Sequence, residues 1–377
     1  MDHVRRDDAP APGRGRRVHL LTLVLLVATL LVVPRAGPER GSRGTGLELV
    51  DASGGEQSAR TTALDVGVSP GFGLFELSSR ALVADLTTAR RAGLRHLRVD
   101  VGWARIEHAP GRYDWSATDR VLRAARSHGF QVLAVVGYRP GWAPPLRTVA
   151  ARSAYARFVG RAARRYGSSV AAWELWNEPN LEQSWGVAPD ARAYAGLVAG
   201  AARQLRAHDP GAPVVVGALS PAVDAPDGSQ VSPMTFLSRF YASGIDRSLF
   251  DVVSVHPYSY PALPTDDADW NTFHRLPDLH ALMTRAGDGA KQLWLTEYGA
   301  PTGRSSRSVS RRGQASMVVD AVRQASTLPF VGRLYLYALR DTARRPTDLE
   351  ANFGLLDHRG RPKPALGALR RALHGTA

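Results

Sequence analysis

Cysteine is absent from the 377-residue chain. Disulfide bracing and thiolate metal sites are therefore excluded, and the absence suits an exported protein. Lysine is nearly absent too: Lys291 and Lys363 stand alone, and arginine carries almost all of the basic charge. No Gly-rich phosphate loop opens any helix-like segment, since neither a GxGxxG nor a Walker pattern occurs. The formal net charge of +14 admits nucleic acid, an anionic envelope or an acidic glycan as partner. The arginines are scattered through helix-like stretches such as Arg157 to Arg165 and do not gather with exposed aromatics. A nucleic-acid face would require that gathering, so no nucleic-acid partner is expected. Hydrophobic residues make up 44% of the chain, which is the range of globular proteins.

What is present begins with a basic tail over residues 1–17, in which Arg5, Arg6, Arg14, Arg16 and Arg17 precede a hydrophobic run. From Val18 to Val33 nothing is charged when His19 is neutral. That run is slightly short of the ~20 residues of a full span. It reads as the core of a signal peptide or as an uncleaved signal anchor within residues 18–36. Either reading puts the remainder outside the cytoplasm, secreted or held at the cell surface, and the arginines agree with a positive-inside orientation. Residues 37–62 are rich in Gly, Ser, Arg, Glu and Thr without apolar periodicity and read as a linker. The domain proper is expected over 63–377.

From Leu64 onward, short apolar runs alternate with helical spacing. Strands are expected at Leu64–Val68, Leu94–Val101, Gln131–Tyr138, Val170–Trp176, Val214–Leu219, Phe250–Val255, Gln292–Thr296 and Arg333–Leu339. Helices are expected at Ser79–Ala92, Asp119–His128, Ser153–Tyr166, Ala191–His208, Pro233–Ser243, Leu276–Ala286, Ser308–Ser326 and Pro364–Leu373. Gly93, Gly129 and Gly244 stop three of these helices. Eight such units suit a single (β/α)8 TIM barrel, an α/β fold, better than an open doubly wound sheet.

A barrel gathers polar strand-end residues at one face. Here these are Arg98, Trp103, Tyr138, Asn177, Glu178, His256, Tyr258 and Glu297. Two carboxylates, hydrogen-bonding groups and aromatic platforms make a carbohydrate site. Trp142, Trp185 and Trp270 lie in loops, as sugar platforms or as loop anchors. Cleaving a glycosidic bond needs one carboxyl to protonate the leaving oxygen and another to meet the anomeric carbon. Glu178 ends the apolar run Val170–Trp176, and Glu297 ends Gln292–Thr296. As ends of strands four and seven they would face one another. Arg98 could equally pair with Asp100, and His256 could be a core histidine bonded to backbone.

Trp176-Asn177-Glu178-Pro179-Asn180 and Thr296-Glu297-Tyr298-Gly299 resemble the signatures of the retaining glycoside hydrolases of clan A. Arg98 in Arg-Val-Asp-Val-Gly-Trp, His256-Pro257-Tyr258, the segment from Trp103 to Trp115 and the segment from Asn352 to Lys363 extend the resemblance, most of all to families 39 and 5. It implies a (β/α)8 barrel with Glu178 as acid/base and Glu297 as nucleophile. It further implies that Asn177 bonds the sugar 2-hydroxyl, that Arg98 lies near the nucleophile and that Tyr258 orients it. The chain departs from the clan at strand eight, where Tyr337 occupies the neighbourhood of the usual Trp. Strand three likewise ends in Tyr138 where family 5 commonly has histidine.

The expected activity is hydrolysis of O-glycosidic, β-linked sugars in a polysaccharide or oligosaccharide by double displacement. Trp103, Tyr138, Trp142, His256 and Tyr337 join Asn177, Arg98 and Tyr258 as expected substrate contacts. The chemistry requires no cofactor and no metal, and a monomer is expected. A transglycosylase and a non-catalytic carbohydrate-binding barrel at the envelope are the competing readings.

Overall fold

The structure, a computed structural model, describes residues 64–374 apart from Asp269. The segments expected at 1–17, 18–36 and 37–62 lie outside the described residues. Eight parallel strands close into a barrel: β1 (Asp65–Ser69), β2 (His96–Gly102), β3 (Gln131–Gly137), β4 (Ala172–Leu175), β5 (Val214–Leu219), β6 (Val252–Val255), β7 (Gln292–Tyr298) and β8 (Val331–Tyr337). Parallel neighbours need long crossovers, and a helix follows each strand. These are α1 (Ser79–Arg91), α2 (Ser116–Ser127), α3 (Val149–Tyr166), α4 (Ala191–His208), α5 (Pro233–Ala242), α6 (Leu276–Arg285), α7 (Arg311–Thr327) and α8 (Pro364–His374). The expected (β/α)8 barrel is what the described residues form.

Local chemistry explains the boundaries. Ser78, Thr148, Asp190, Ser232 and Ser310 each accept a hydrogen bond from a backbone N–H in the first turn of the following helix. Each such cap is worth ~1 kcal/mol. Thr148 starts α3 four residues earlier than periodicity alone suggests, and Ser310 delays α7 to Arg311. Gly93, Gly129 and Gly244 adopt left-handed φ of 96°, 71° and 76° just past their helices. A short antiparallel hairpin, Glu107–Ala109 with Arg112–Tyr113, was not expected.

The two-residue period of the strands sorts the interior from the shell. On β2, Leu97, Val99 and Val101 share one core with Leu82, Leu86 and Ala89 of α1. Truncating a buried leucine such as Leu86 costs ~2–5 kcal/mol. Inside the barrel lies a separate apolar floor of Leu133, Ala172, Val215, Val252, Trp294 and Tyr335, one from each of β3 to β8. One period further along, the same strands carry Val135, Glu174, Gly217, Ser254, Thr296 and Tyr337. The interior thus turns from apolar to polar toward the C-terminal ends of the strands, the face where barrel chemistry resides. Among the described residues, no helix is long and apolar enough to cross a membrane.

Candidate active site

Arg98 is the hub of the polar layer. It sits mid-strand in β2, 3% exposed, and its side chain reaches three strands. Its Nε donates to Glu174 Oε2 of β4 at 2.6 Å and its Nη1 to Glu297 Oε1 of β7 at 2.5 Å. Nη2 donates to Asn177 Oδ1 at 2.8 Å, and Ser69 Oγ of β1 lies 3.4 Å from Nη1. Burial works against the guanidinium charge, but Glu174 and Glu297 overcome it and hold Arg98 more firmly protonated than usual. The alternative pairing with Asp100 is not the one formed through hydrogen bonds.

Glu174 is fully buried and had no place in the expected site. It accepts from Ser254 Oγ at 2.7 Å besides Arg98. Its signal in the sequence is a carboxylate set inside the apolar run Val170–Trp176, a position that demands a partner.

Glu297 lies inside β7, which runs two residues past its expected end to Tyr298. Tyr258 Oη donates to Glu297 Oε2 at 2.9 Å. Burial and the Glu297 charge push that phenol well above the ordinary tyrosine range, so it remains a donor. Glu178 stands three residues beyond β4, carried there by a tight turn. Trp176 and Glu178 take left-handed φ of 74° and 48°, and Glu178 N–H donates to Ala218 O at 3.1 Å. Non-glycine residues in that region are strained and need surrounding structure to hold them. Asn180 supplies some of it: fully buried, it bonds Ser220 and Val231 backbone groups at 2.8–2.9 Å. Gly217, at φ 115°, has no room for a side chain, because a Cβ there would lie 2.4 Å from Ser254 O.

His256, directly after β6, joins the two carboxylates. Its Nδ1 is 3.1 Å from Glu178 Oε1 and 3.6 Å from Glu297 Oε2. The two oxygens are therefore no farther apart than the sum of those distances, and any bend at Nδ1 brings them closer. His256 is fully buried, with Nε2 lacking a partner. Its contacts within the protein are with the carboxylates, so it is not the backbone-bonded core histidine.

Tyr138, at φ 68° after β3, donates from Oη to Asp100 Oδ1 at 2.9 Å. Asp100 was expected only as a partner for Arg98. Burial raises its carboxyl to about 6, against the opposing pull of Arg98 and of the Tyr138 hydroxyl. Tyr337, whose peptide to Ala338 is cis, packs edge-on to Tyr258 with ring centroids 6.3 Å apart. Its phenol is held well above its ordinary range by burial and by Glu350 and Glu297. Glu350, from the loop after β8, is a further carboxyl that was not anticipated. Burial, then the charges of Glu178 and Glu297, lift it to about 8.

The tryptophans behave differently. Trp103 is fully buried, donates from Nε1 to Glu107 Oε2 at 2.6 Å and packs on Tyr155 and Phe158. It is core, which corrects its expected role as a substrate contact: the turn after β2 points it into the helical shell. Trp142 is half-buried and donates to Glu107 O at 2.9 Å, edge-on to Trp103. No contact brings it to the carboxylates. Trp185 is buried as a loop anchor, whereas Trp270 is 40% exposed. Among the described residues, no group of three or more His, Asp or Glu side chains is arranged to hold a metal ion.

No family model matches the sequence, and no curated protein matches it. Solved structures that share the fold include a family 39 glycoside hydrolase from the gut symbiont Bacteroides cellulosilyticus WH2, 23% identical, with a TM-score of 0.66 over 84% of this chain and 64% of that one. A GH39 β-xylosidase from Caulobacter crescentus is 20% identical, with a TM-score of 0.60 over 82% of this chain and 71% of that chain. GH5_18 from Streptomyces cattleya, in complex with GlcNAc, is 17% identical, with a TM-score of 0.66 over 83% and 80%. The chain therefore spans 64% of the length of the first of these. At such identities the likeness is one of fold.

Proposed function

We propose that this protein is a retaining glycoside hydrolase acting on β-linked sugars of an oligosaccharide or polysaccharide. The observation that carries the reading is that Glu178 and Glu297 both lie close to His256 Nδ1, at 3.1 and 3.6 Å, at the mouth of the barrel. The bound it sets accommodates the ~5–5.5 Å between carboxyls of double-displacement enzymes. The shared fold with glycoside hydrolases supports the same reading.

The partners of each carboxyl suggest its role. Glu297 faces a guanidinium and a phenol, both donors that fit an ionised carboxylate. It attacks the anomeric carbon while the glycosidic C–O bond breaks. Glu178 faces a ring nitrogen whose donor or acceptor role depends on the tautomer, and the acid/base role is assigned to Glu178. It protonates the leaving oxygen, then removes a proton from the water that displaces Glu297 from the sugar. Asn177, half-buried and fixed through its carbonyl by Arg98, keeps its amide N–H groups for a sugar hydroxyl.

Glu178→Gln and Glu297→Gln, assayed on a panel of aryl β-glycosides, test this. General acid–base catalysis is worth ~10²–10⁴-fold, and each variant should lose at least that from kcat/KM on its best substrate. Undiminished turnover in either would overturn the assignment. We also propose that the body from residue 63 works as a monomer outside the cytoplasm, delivered by the hydrophobic segment at 18–36. Cell fractionation with and without residues 1–36 checks this, and equal distribution of the two forms would refute it.

A further inference from the structure

The three nitrogens of the Arg98 guanidinium serve three different residues of the site. Nε donates to Glu174 Oε2 at 2.6 Å, Nη1 to Glu297 Oε1 at 2.5 Å and Nη2 to Asn177 Oδ1 at 2.8 Å, with Ser69 Oγ a longer second acceptor for Nη1 at 3.4 Å. A guanidinium left alone with one carboxylate prefers to dock as a fork, two N–H groups on two oxygens. A fork onto Glu297 would need a second nitrogen, either Nη2 from the end or Nε from the side. Asn177 holds the first of these and Glu174 the second. Glu297 Oε2 is left to the Tyr258 hydroxyl at 2.9 Å.

Glu174 is itself anchored. Ser254 Oγ donates to its Oε1 at 2.7 Å and accepts from Ala218 N–H at 2.8 Å, so the chain of bonds crosses β2, β4, β5 and β6. Both oxygens of Glu174 therefore accept, and its charge and that of Glu297 share the Arg98 cation. Glu174 also acts on the phenols of Tyr194 and Tyr335, which burial holds above the ordinary tyrosine range and so neutral. Glu297 is faced further by His256, with Glu178 on the same ring nitrogen, and its charge acts on Asp100, Tyr138, Tyr337 and Glu350. A second N–H on Glu297 would stabilise the ionised carboxylate and would have to weaken as that carboxylate becomes an ester of the sugar.

We propose that Glu174 is a positioning residue of the double displacement: by taking Nε of Arg98 and sharing its charge, it denies Glu297 the fork and leaves the nucleophile free to attack. This rests on the glycosidase reading and adds a residue that acts through Arg98 without touching the sugar.

Glu174→Gln tests it, because the amide keeps the size, an oxygen for Nε and an N–H for Ser254 while the charge is removed. Arg98 is then paired with Glu297 alone. On the best aryl β-glycoside, the acid limb of kcat/KM against pH, which reports ionisation of the nucleophile, should move to lower pH by about one unit, as removal of a charge one guanidinium away predicts at an effective dielectric of ~20. The value of kcat should fall about tenfold with KM within about threefold of wild type, because the loss falls on attack and not on ground-state binding. A purely structural Glu174 would lower Tm and leave the limb in place. Ser254→Ala is the counterpart: it loosens the same anchor but leaves Glu174 charged, so the limb should stay at or above its wild-type pH. A limb unmoved in Glu174→Gln, or moved to lower pH by Ser254→Ala as well, overturns the proposal. Should Glu174→Gln not fold, Ser254→Ala decides by the same criterion. The glycosidase reading fails separately, through a Glu297→Gln variant that retains turnover; with that variant inactive and the limb of Glu174→Gln unmoved, the positioning role alone falls.

Discussion

Replacing Arg98 by methionine removes the guanidinium that pairs with Glu174 and Glu297 inside the barrel while roughly preserving its length. The side chains of Arg98 and Glu174 are 2% and 0% exposed. Glu174 would keep Ser254 as its sole donor and hold its charge without a counterion. Breaking a buried pair by removing one partner costs ~3–5 kcal/mol. With an unfolding entropy of ~2.1 cal/mol/K per residue over roughly 310 residues, that loss lowers Tm by ~5–8 °C. Scanning calorimetry measures this directly. The decisive comparison adds Glu174→Gln, which removes the stranded charge and lets the amide keep Ser254 as its partner. Arg98→Met/Glu174→Gln should recover at least half of the lost stability. It should recover none of the activity, because Glu297 would still lack the donor to its Oε1. A loss below ~1 kcal/mol in the single variant would refute the reasoning. So would a double variant no more stable than the single one.

Other outcomes follow from the same physics. Asp100 is raised from an ordinary 3.8 to about 6, so the folded chain favours its protonated form. That raised value makes the wild type lose stability as pH climbs through the window from about 4 to about 6, and Asp100→Asn escapes the loss. The stability difference between the two, from urea unfolding, should move by ~2–3 kcal/mol in the variant's favour between pH 4 and pH 7; a constant difference would count against it. Lys363, 2% exposed, donates to Asp341 at 2.7 Å, Thr302 at 2.8 Å and Asn352 O at 3.1 Å. Lys363→Met should cost ~3–5 kcal/mol and open residues 341–357 to limited proteolysis, with Lys363→Met/Asp341→Asn partly recovering both; unchanged cleavage would contradict it. Gly299→Ala should yield no folded protein, since a Cβ there would collide with Tyr337 O, and a normal melting transition would show that β7 and β8 can separate.

The barrel was legible because eight apolar runs separated by helical spacing leave few ways to bury both faces of a parallel sheet. Helices with a sharp stop, such as the one ending before Gly93, were read closely. Starts set by a cap were read less well, because Thr148 and Ser310 act through one hydrogen bond that leaves no mark on periodicity. In the site, Glu178 and Glu297 stood out as carboxylates following apolar runs. Glu174, Asp100 and Glu350 did not. Glu174 and Asp100 occupy inward positions of strands whose other face is apolar, so hydrophobicity outweighs them in any local reading. Glu350 belongs to a loop, and only the closed barrel reveals that this loop returns to the carboxylates. Trp103 shows the converse error: an aromatic at a strand end reads as a platform until the direction of the turn is known.

Tyr138, Trp176, Glu178 and Ala218 hold left-handed backbone at the ends of three adjacent strands, β3, β4 and β5. Trp176 and Tyr138 repay the strain by packing, Trp176 on Tyr155 and Trp185 and Tyr138 on Phe72. Glu178 and Ala218 have no such large side chain to lose, and glycine adopts their conformation without a clash. A library of variants sorted for thermal resistance should accordingly drift toward glycine at Glu178, whereas one sorted for turnover should not. Divergence between the two sorted populations would then mark where function rather than endurance has written the sequence.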